Sequence, residues 1–92
     1  MKSTKTSEMA KDLSPMEAIV LQQVHEDGED DAHSLATGLG MSRQRILSIV
    51  ARLKRRGLVS VNGGYDAILV NLTSKGRRLI NYLWPKQGML YS

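Results

Sequence analysis

Residues 35–59 read Leu-Ala-Thr-Gly-Leu-Gly-Met-Ser-Arg-Gln-Arg-Ile-Leu-Ser-Ile-Val-Ala-Arg-Leu-Lys-Arg-Arg-Gly-Leu-Val. The stretch predicts a short helix, a Gly-containing turn, and a longer helix that ends at Gly57. Ser42 can accept a hydrogen bond from a free amide at the start of the longer helix. Gly40 suits a left-handed turn residue. Leu39 and Met41, on either side of it, are expected to anchor the turn to the core.

A helical wheel divides the longer helix cleanly. With Ile46 at zero and about 100° per residue, Ile49, Val50 and Leu53 fall within about 60° of it. Gln44, Ser48, Ala51 and Arg55 lie opposite, with Arg45 and Arg52 beside them. Leu47 and Lys54 flank the apolar stripe. A helix built this way packs on a core and offers its other face to a polyanion.

Working outward, 1–12 is polar and without periodicity, and is expected to be a flexible tail. Ser14-Pro15-Met16-Glu17 is a helix start, with Ser14 as cap, Pro15 at the first position and Glu17 closing a capping box. Met16, Ile19, Val20 and Val24 supply its apolar stripe, and Gly28 its stop. The acidic stretch 26–31 is read as a connection with room for one or two strand residues, not placed. Asp31 can cap a second helix from Ala32 to about Gly38, with Leu35 and Ala36 inward.

Beyond the long helix, 58–61 and 67–72 are rich in β-branched residues. Asn62-Gly63-Gly64 between them is a turn signal, so the pair is expected to be a hairpin. Thr73 then caps a fourth helix that runs to Leu83 with Leu79, Ile80 and Leu83 inward. Pro85 stops it. A domain over 13–84 is expected, followed by a loose tail at 85–92.

The chain has 92 residues and a net charge of +4, unevenly placed. Residues 1–35 hold three lysines against eight acids, and 36–92 hold ten Lys/Arg against Asp66 alone. That segregation is the electrostatic footprint of a nucleic-acid binder. The sequence has no cysteine, which excludes disulfides and thiolate zinc sites. His25 and His33 are read as ordinary core or surface histidines, and no metal or cofactor is expected. No apolar run approaches the ~18 residues of a membrane span, and no signal peptide is visible. The expected location is the cytoplasm, associated with the nucleoid if the source is prokaryotic.

Four short stretches carry a family resemblance. They are Leu35-Ala36, Gly40-Met41-Ser42, Leu53-Lys54-Arg55-Arg56-Gly57-Leu58-Val59 and Leu72-Thr73-Ser74-Lys75-Gly76-Arg77. In this order and spacing the chain resembles the winged helix-turn-helix family, most closely MarR-like transcriptional regulators. The resemblance covers about 13–84. It implies an α+β, mostly helical fold with three helices, a two-stranded hairpin wing and a C-terminal helix. It also implies sequence-specific binding of double-stranded DNA in transcription regulation, with 42–56 as the recognition helix.

On that reading the N-terminal residues of the recognition helix reach base edges in the major groove. Gln44, Arg45 and Ser48 are expected to contact bases. Arg can donate two bonds to guanine, and Gln can pair with adenine's donor and acceptor. Ser42, Arg43, Arg52, Lys54, Arg55 and Arg56 are expected at backbone phosphates, which set register. The wing tip is Asn62, Gly63 and Gly64. Family wings often carry an arginine for the minor groove, whereas 62–67 here has no basic residue and one acid. The helix is therefore expected to supply nearly all of the specificity.

Gly63-Gly64 lacks the lysine and following helix of a phosphate-binding loop. Asp31, His33 and Ser34 lack nucleophile–base geometry, so no enzyme activity is expected. The alternative function is a winged helix used as a protein-interaction module, motivated by the uncharged wing and the acidic first third. Single-stranded nucleic acid ranks last, because Tyr82 and Trp84 are expected in the core and few stacking platforms remain. Homodimerisation is left open.

Overall fold

A computed structural model of the chain describes residues 10–63 and 67–84. Its elements are α1 (Pro15–Asp27), β1 (Glu29–Asp31), α2 (Ala32–Leu39), α3 (Arg43–Arg55), β2 (Val59–Gly63), β3 (Ile68–Leu72) and α4 (Ser74–Leu83). The expectations for residues 1–9, Gly64, Pro85 and the C-terminal tail fall outside the described residues. Residues 10–12, assigned to the tail by composition, are helical, and Ala10 packs against the core.

Each α-helix starts where a side-chain oxygen can replace a missing helical partner. Ser14 Oγ accepts from the Glu17 amide at 3.1 Å, and Glu17 Oε1 accepts from the Ser14 amide at 3.1 Å, completing the capping box. Asp31 caps α2 through the Ser34 amide at 2.7 Å, and Ser42 caps α3 through the Arg45 amide at 3.1 Å. Thr73 Oγ1 caps α4 through the Gly76 amide at 3.0 Å. Each such cap is worth about 1 kcal/mol. Gly40 ends α2 at φ +66°, the left-handed conformation expected of the turn.

The core lies where the helices meet the sheet. Val20, Leu21 and Val24 of α1 meet Leu35 of α2, Ile46 and Leu53 of α3, and Leu79 and Ile80 of α4. Val70 of β3 closes this core from the sheet side. Burying one such side chain contributes about 1.5–3 kcal/mol. Leu39, Met41, Leu47 and Leu83 pack partly buried around it, as does Trp84.

The wing hairpin is present, with Val59 opposite Leu72, Val61 opposite Val70 and Gly63 opposite Ile68. A third strand extends it. β1 pairs antiparallel with β3, giving the order β1-β3-β2, with Glu29 opposite Asn71 and Asp31 opposite Leu69. The acidic connection is therefore a three-residue strand, held by backbone pairing and by Asn71 Nδ2 donating to Glu29 Oε2 at 2.9 Å. Three acids have no strand propensity of their own; the open edge of β3 imposes the conformation.

Two core assignments are corrected. Ile19 is 45% exposed and Tyr82 is 47% exposed. The inward face of α1 is Glu17, Val20, Leu21 and Val24, turned from the stripe that included Ile19. The rotation is possible because the Glu17 carboxylate finds partners inside. Among the described residues, no helix is long and apolar enough to cross a membrane.

Candidate nucleic-acid interface

The outer face of α3 is the candidate site. Its position follows from the apolar stripe, since Ile46, Ile49, Val50 and Leu53 are all buried. Burial of that stripe turns the opposite face to solvent. Gln44, Arg45 and Ser48 are exposed there, as are Ser42, Arg43, Arg52, Lys54 and Arg55. The wheel therefore located these side chains correctly relative to the core.

The electrostatics along α3 are one-sided. No acid stands in its first turn, and Arg52, Lys54 and Arg55 occupy its last turn, where cations suit the carbonyl end of a helix. The partial positive charge of its N-terminal amides adds to that of Arg43 and Arg45 in the first turn. The Ser42 oxygen is committed as acceptor to the Arg45 amide, which leaves its hydroxyl proton free to donate. Ser48, Ala51, Arg52, Arg55 and Arg56 line an open concavity of about 600 Å³ on this surface.

Not every arginine is free. Arg52 Nε lies 3.0 Å from Glu17 Oε2, and Arg56 Nη1 lies 3.5 Å from Glu17 Oε1. Arg56 Nη1 also donates to the Asp12 carbonyl at 3.2 Å. Arg56 is accordingly half-buried, unlike the rest of the set. Sequence reasoning placed Glu17 only in the capping box and missed this triad. The available signal was a lone acid in a helix start facing a run of four basic residues, which does not say that the two meet.

The wing adds little charge to this surface. Asn62 and Gly63 are exposed and carry none, and Gly64 lies outside the described residues. On α4, Lys75, Arg77 and Arg78 are exposed. The Lys75 side chain lies against Gly57, at the end of α3.

The acids gather elsewhere, around β1. Burial and the neighbouring carboxylates of Asp27 and Asp31 push the Asp30 carboxyl up to about 6. Asp27 shifts the opposite way, because Asp30 and Gln23 hydrogen-bond to its carboxylate. The Ser34 amide likewise lowers Asp31. Among the described residues, no group of His, Cys, Asp and Glu is arranged to hold a metal ion.

Comparison with known proteins agrees with this geometry. Residues 11–64 match the sequence profile of the MarR family, a span that holds β1, the two helices of the helix-turn-helix and β2. No curated protein sequence matches the chain. Among solved structures, a MarR-family transcriptional regulator from Rhodococcus sp. RHA1 superposes with a TM-score of 0.77 at 25% identity, over 89% of this chain and 59% of its own. BpsR from Bordetella bronchiseptica gives 0.73 at 22% identity, over 86% and 62% of the two chains. PcaV from Streptomyces coelicolor gives 0.72 at 23% identity, over 85% and 57%. The chain thus spans about three fifths of the length of these structures. The fold is common to all three, the family profile covers more than half of the sequence, and the chain belongs to the MarR family.

Proposed function

We propose that the chain binds double-stranded DNA sequence-specifically through α3, lying in the major groove, and that it regulates transcription. The observation that carries this reading is the outer face of α3: exposed, basic and held in fixed register by a fully buried stripe. A rigid helix with that charge suits the major groove. The Bordetella structure is described in terms of regulation of DNA binding, and the Rhodococcus one as a transcriptional regulator, which supports the same activity here.

Gln44, Arg45 and Ser48 read base edges. Ser42, Arg43, Arg52, Lys54 and Arg55 grip phosphates. The wing, uncharged at Asn62 and Gly63, contributes shape but no cation, so α3 supplies the sequence readout. A pair of chains would present two α3 helices to half-sites about 34–36 Å apart. The reading involves no catalytic step and no cofactor, and it places the protein in the cytoplasm with the nucleoid of a prokaryotic source.

Duplex binding measured against salt tests the reading. Log affinity is expected to fall linearly with log salt, by about 0.9 for each phosphate neutralised. Selection from random duplexes is expected to yield a motif, and sedimentation of the complex gives the number of chains on it. No duplex binding at low salt rules the proposal out.

A further inference from the structure

Among the described residues, Glu17 is the one charged side chain that the fold buries, at 3% exposure. A capping box does not require this, since a Glu or Gln at that position can reach back along an exposed helix surface. What distinguishes Glu17 is its partners. Oε2 takes Arg52 Nε at 3.0 Å, and Oε1 takes the Ser14 amide at 3.1 Å and lies 3.5 Å from Arg56 Nη1. One carboxylate of α1 therefore engages two guanidiniums, Arg52 from the last turn of α3 and Arg56 from the residue that caps it. A buried carboxylate without such partners would be strongly unfavourable, so the arrangement is held from both sides.

The two arginines are engaged differently. Arg52 uses Nε, and its side chain stays 59% exposed, so the guanidinium is open to a phosphate from a fixed pose. Arg56 uses Nη1 for Glu17 and for the Asp12 carbonyl, and its side chain is 29% exposed. Arg52 is a pre-oriented grip. Arg56 is a tie between α3 and the N-terminal side of the domain.

We infer that Glu17 is a positioning residue, which fixes Arg52 and withholds Arg56 from nucleic acid and so sets the sequence-independent part of the affinity. The inference rests on DNA binding by α3 as proposed above. Sequence-independent affinity grows with each cation that neutralises a phosphate, whereas base readout by Gln44, Arg45 and Ser48 does not. Withholding one arginine lowers binding to all sequences alike and leaves base contacts, and so the preference among sequences, intact. This removes Arg56 from the phosphate contacts that its place in the sequence suggested.

Glu17→Gln tests the device. It keeps the shape and an acceptor for the Ser14 amide but removes the charge. Freeing Arg56 is expected to steepen the salt slope by about 0.9 on random-sequence and selected duplexes alike, with the preference for the selected site unchanged. It is also expected to raise the salt at which the protein elutes from heparin, a polyanion without bases. In the otherwise unaltered chain, Arg56→Gln is expected to leave both readouts unchanged. Arg55→Gln is expected to lower the duplex slope by about 0.9 and to elute earlier.

An unchanged slope and elution in folded Glu17→Gln overturns the inference, as does an Arg56→Gln loss equal to that of Arg55→Gln. Circular dichroism shows whether Glu17→Gln folds; if it does not, the Arg56 and Arg55 comparison decides alone. Should no variant bind duplex while heparin elution shifts as expected, the DNA reading fails and the role of Glu17 in masking charge stands.

Discussion

Gly76→Ala is expected to destabilise the domain, although alanine is the better helix former. At an exposed site in a helix interior the change would stabilise by about 1 kcal/mol. Gly76 is not such a site. A Cβ there would overlap the Leu58 carbonyl oxygen, and would stand 3.1 Å from the Leu58 carbonyl carbon and 3.0 Å from Leu72 Cδ2. The obstacle is backbone, and that backbone is tied in place. The Thr73 amide donates to the same Leu58 carbonyl at 3.1 Å, and Thr73 Oγ1 donates to the Gly57 carbonyl at 2.6 Å. Relief requires α4 to move away from the end of α3, at the cost of these bonds. Overpacking costs about 1–3 kcal/mol, and more where backbone must shift. Each bond lost adds about 1 kcal/mol. The net loss is about 2 kcal/mol after the propensity gain, or about 8–16 °C in Tm for a domain of this size. Urea unfolding followed by circular dichroism and by Trp84 fluorescence measures it. A Gly76→Ala protein as stable as the parent, or more so, would refute the close packing of α4 on Leu58.

Three further outcomes are expected. Gln44→Ala relaxes sequence preference, at about 1–3 kcal/mol for the contacted base, while Arg55→Ala weakens binding to all duplexes alike; competition titrations with single-base variants separate the two. Asp30 titrates at about 6 in the fold against an ordinary 3.8, so the native state holds its proton more tightly and stability falls as pH rises through that window. Asp30→Asn, which keeps a donor for Asp27 and cannot ionise, is therefore expected to raise Tm at neutral pH and to flatten the pH dependence between 3.8 and about 6; an unchanged melting profile across that range would contradict it. Ser42→Ala removes the α3 cap and is expected to cost about 1 kcal/mol in chemical unfolding, with faster amide exchange confined to the first turn of α3.

Much of the architecture was legible because its determinants are local. Ser14, Asp31, Ser42 and Thr73 each bond an amide three residues on, so a short window contains the whole interaction. The stripe Ile46, Ile49, Val50 and Leu53 fixes which face of α3 is outside by periodicity alone. What was left unplaced or misread has distant causes. β1 is a strand because β3 offers an edge, not because Glu29-Asp30-Asp31 prefers to be one. α1 turns Ile19 outward because Glu17 goes in, and Glu17 goes in because Arg52 and Arg56 wait on another helix. Tyr82 follows from the same kind of contact: Leu79 and Ile80 fill the face of α4 that meets the core, and the ring is left outside. Within the candidate site, exposure of the basic residues was readable, and their internal pairing was not.

The most direct test of α3 as the reading element is an amide chemical-shift titration of the protein with a duplex obtained by selection. The expected result is that shifts concentrate at Gln44, Arg45 and Ser48, with side-chain amide shifts at Gln44 and little change at Asn81 and Tyr82 on the exposed side of α4. Saturable binding with perturbations confined to the wing or α4, leaving Gln44, Arg45 and Ser48 unmoved, would contradict it.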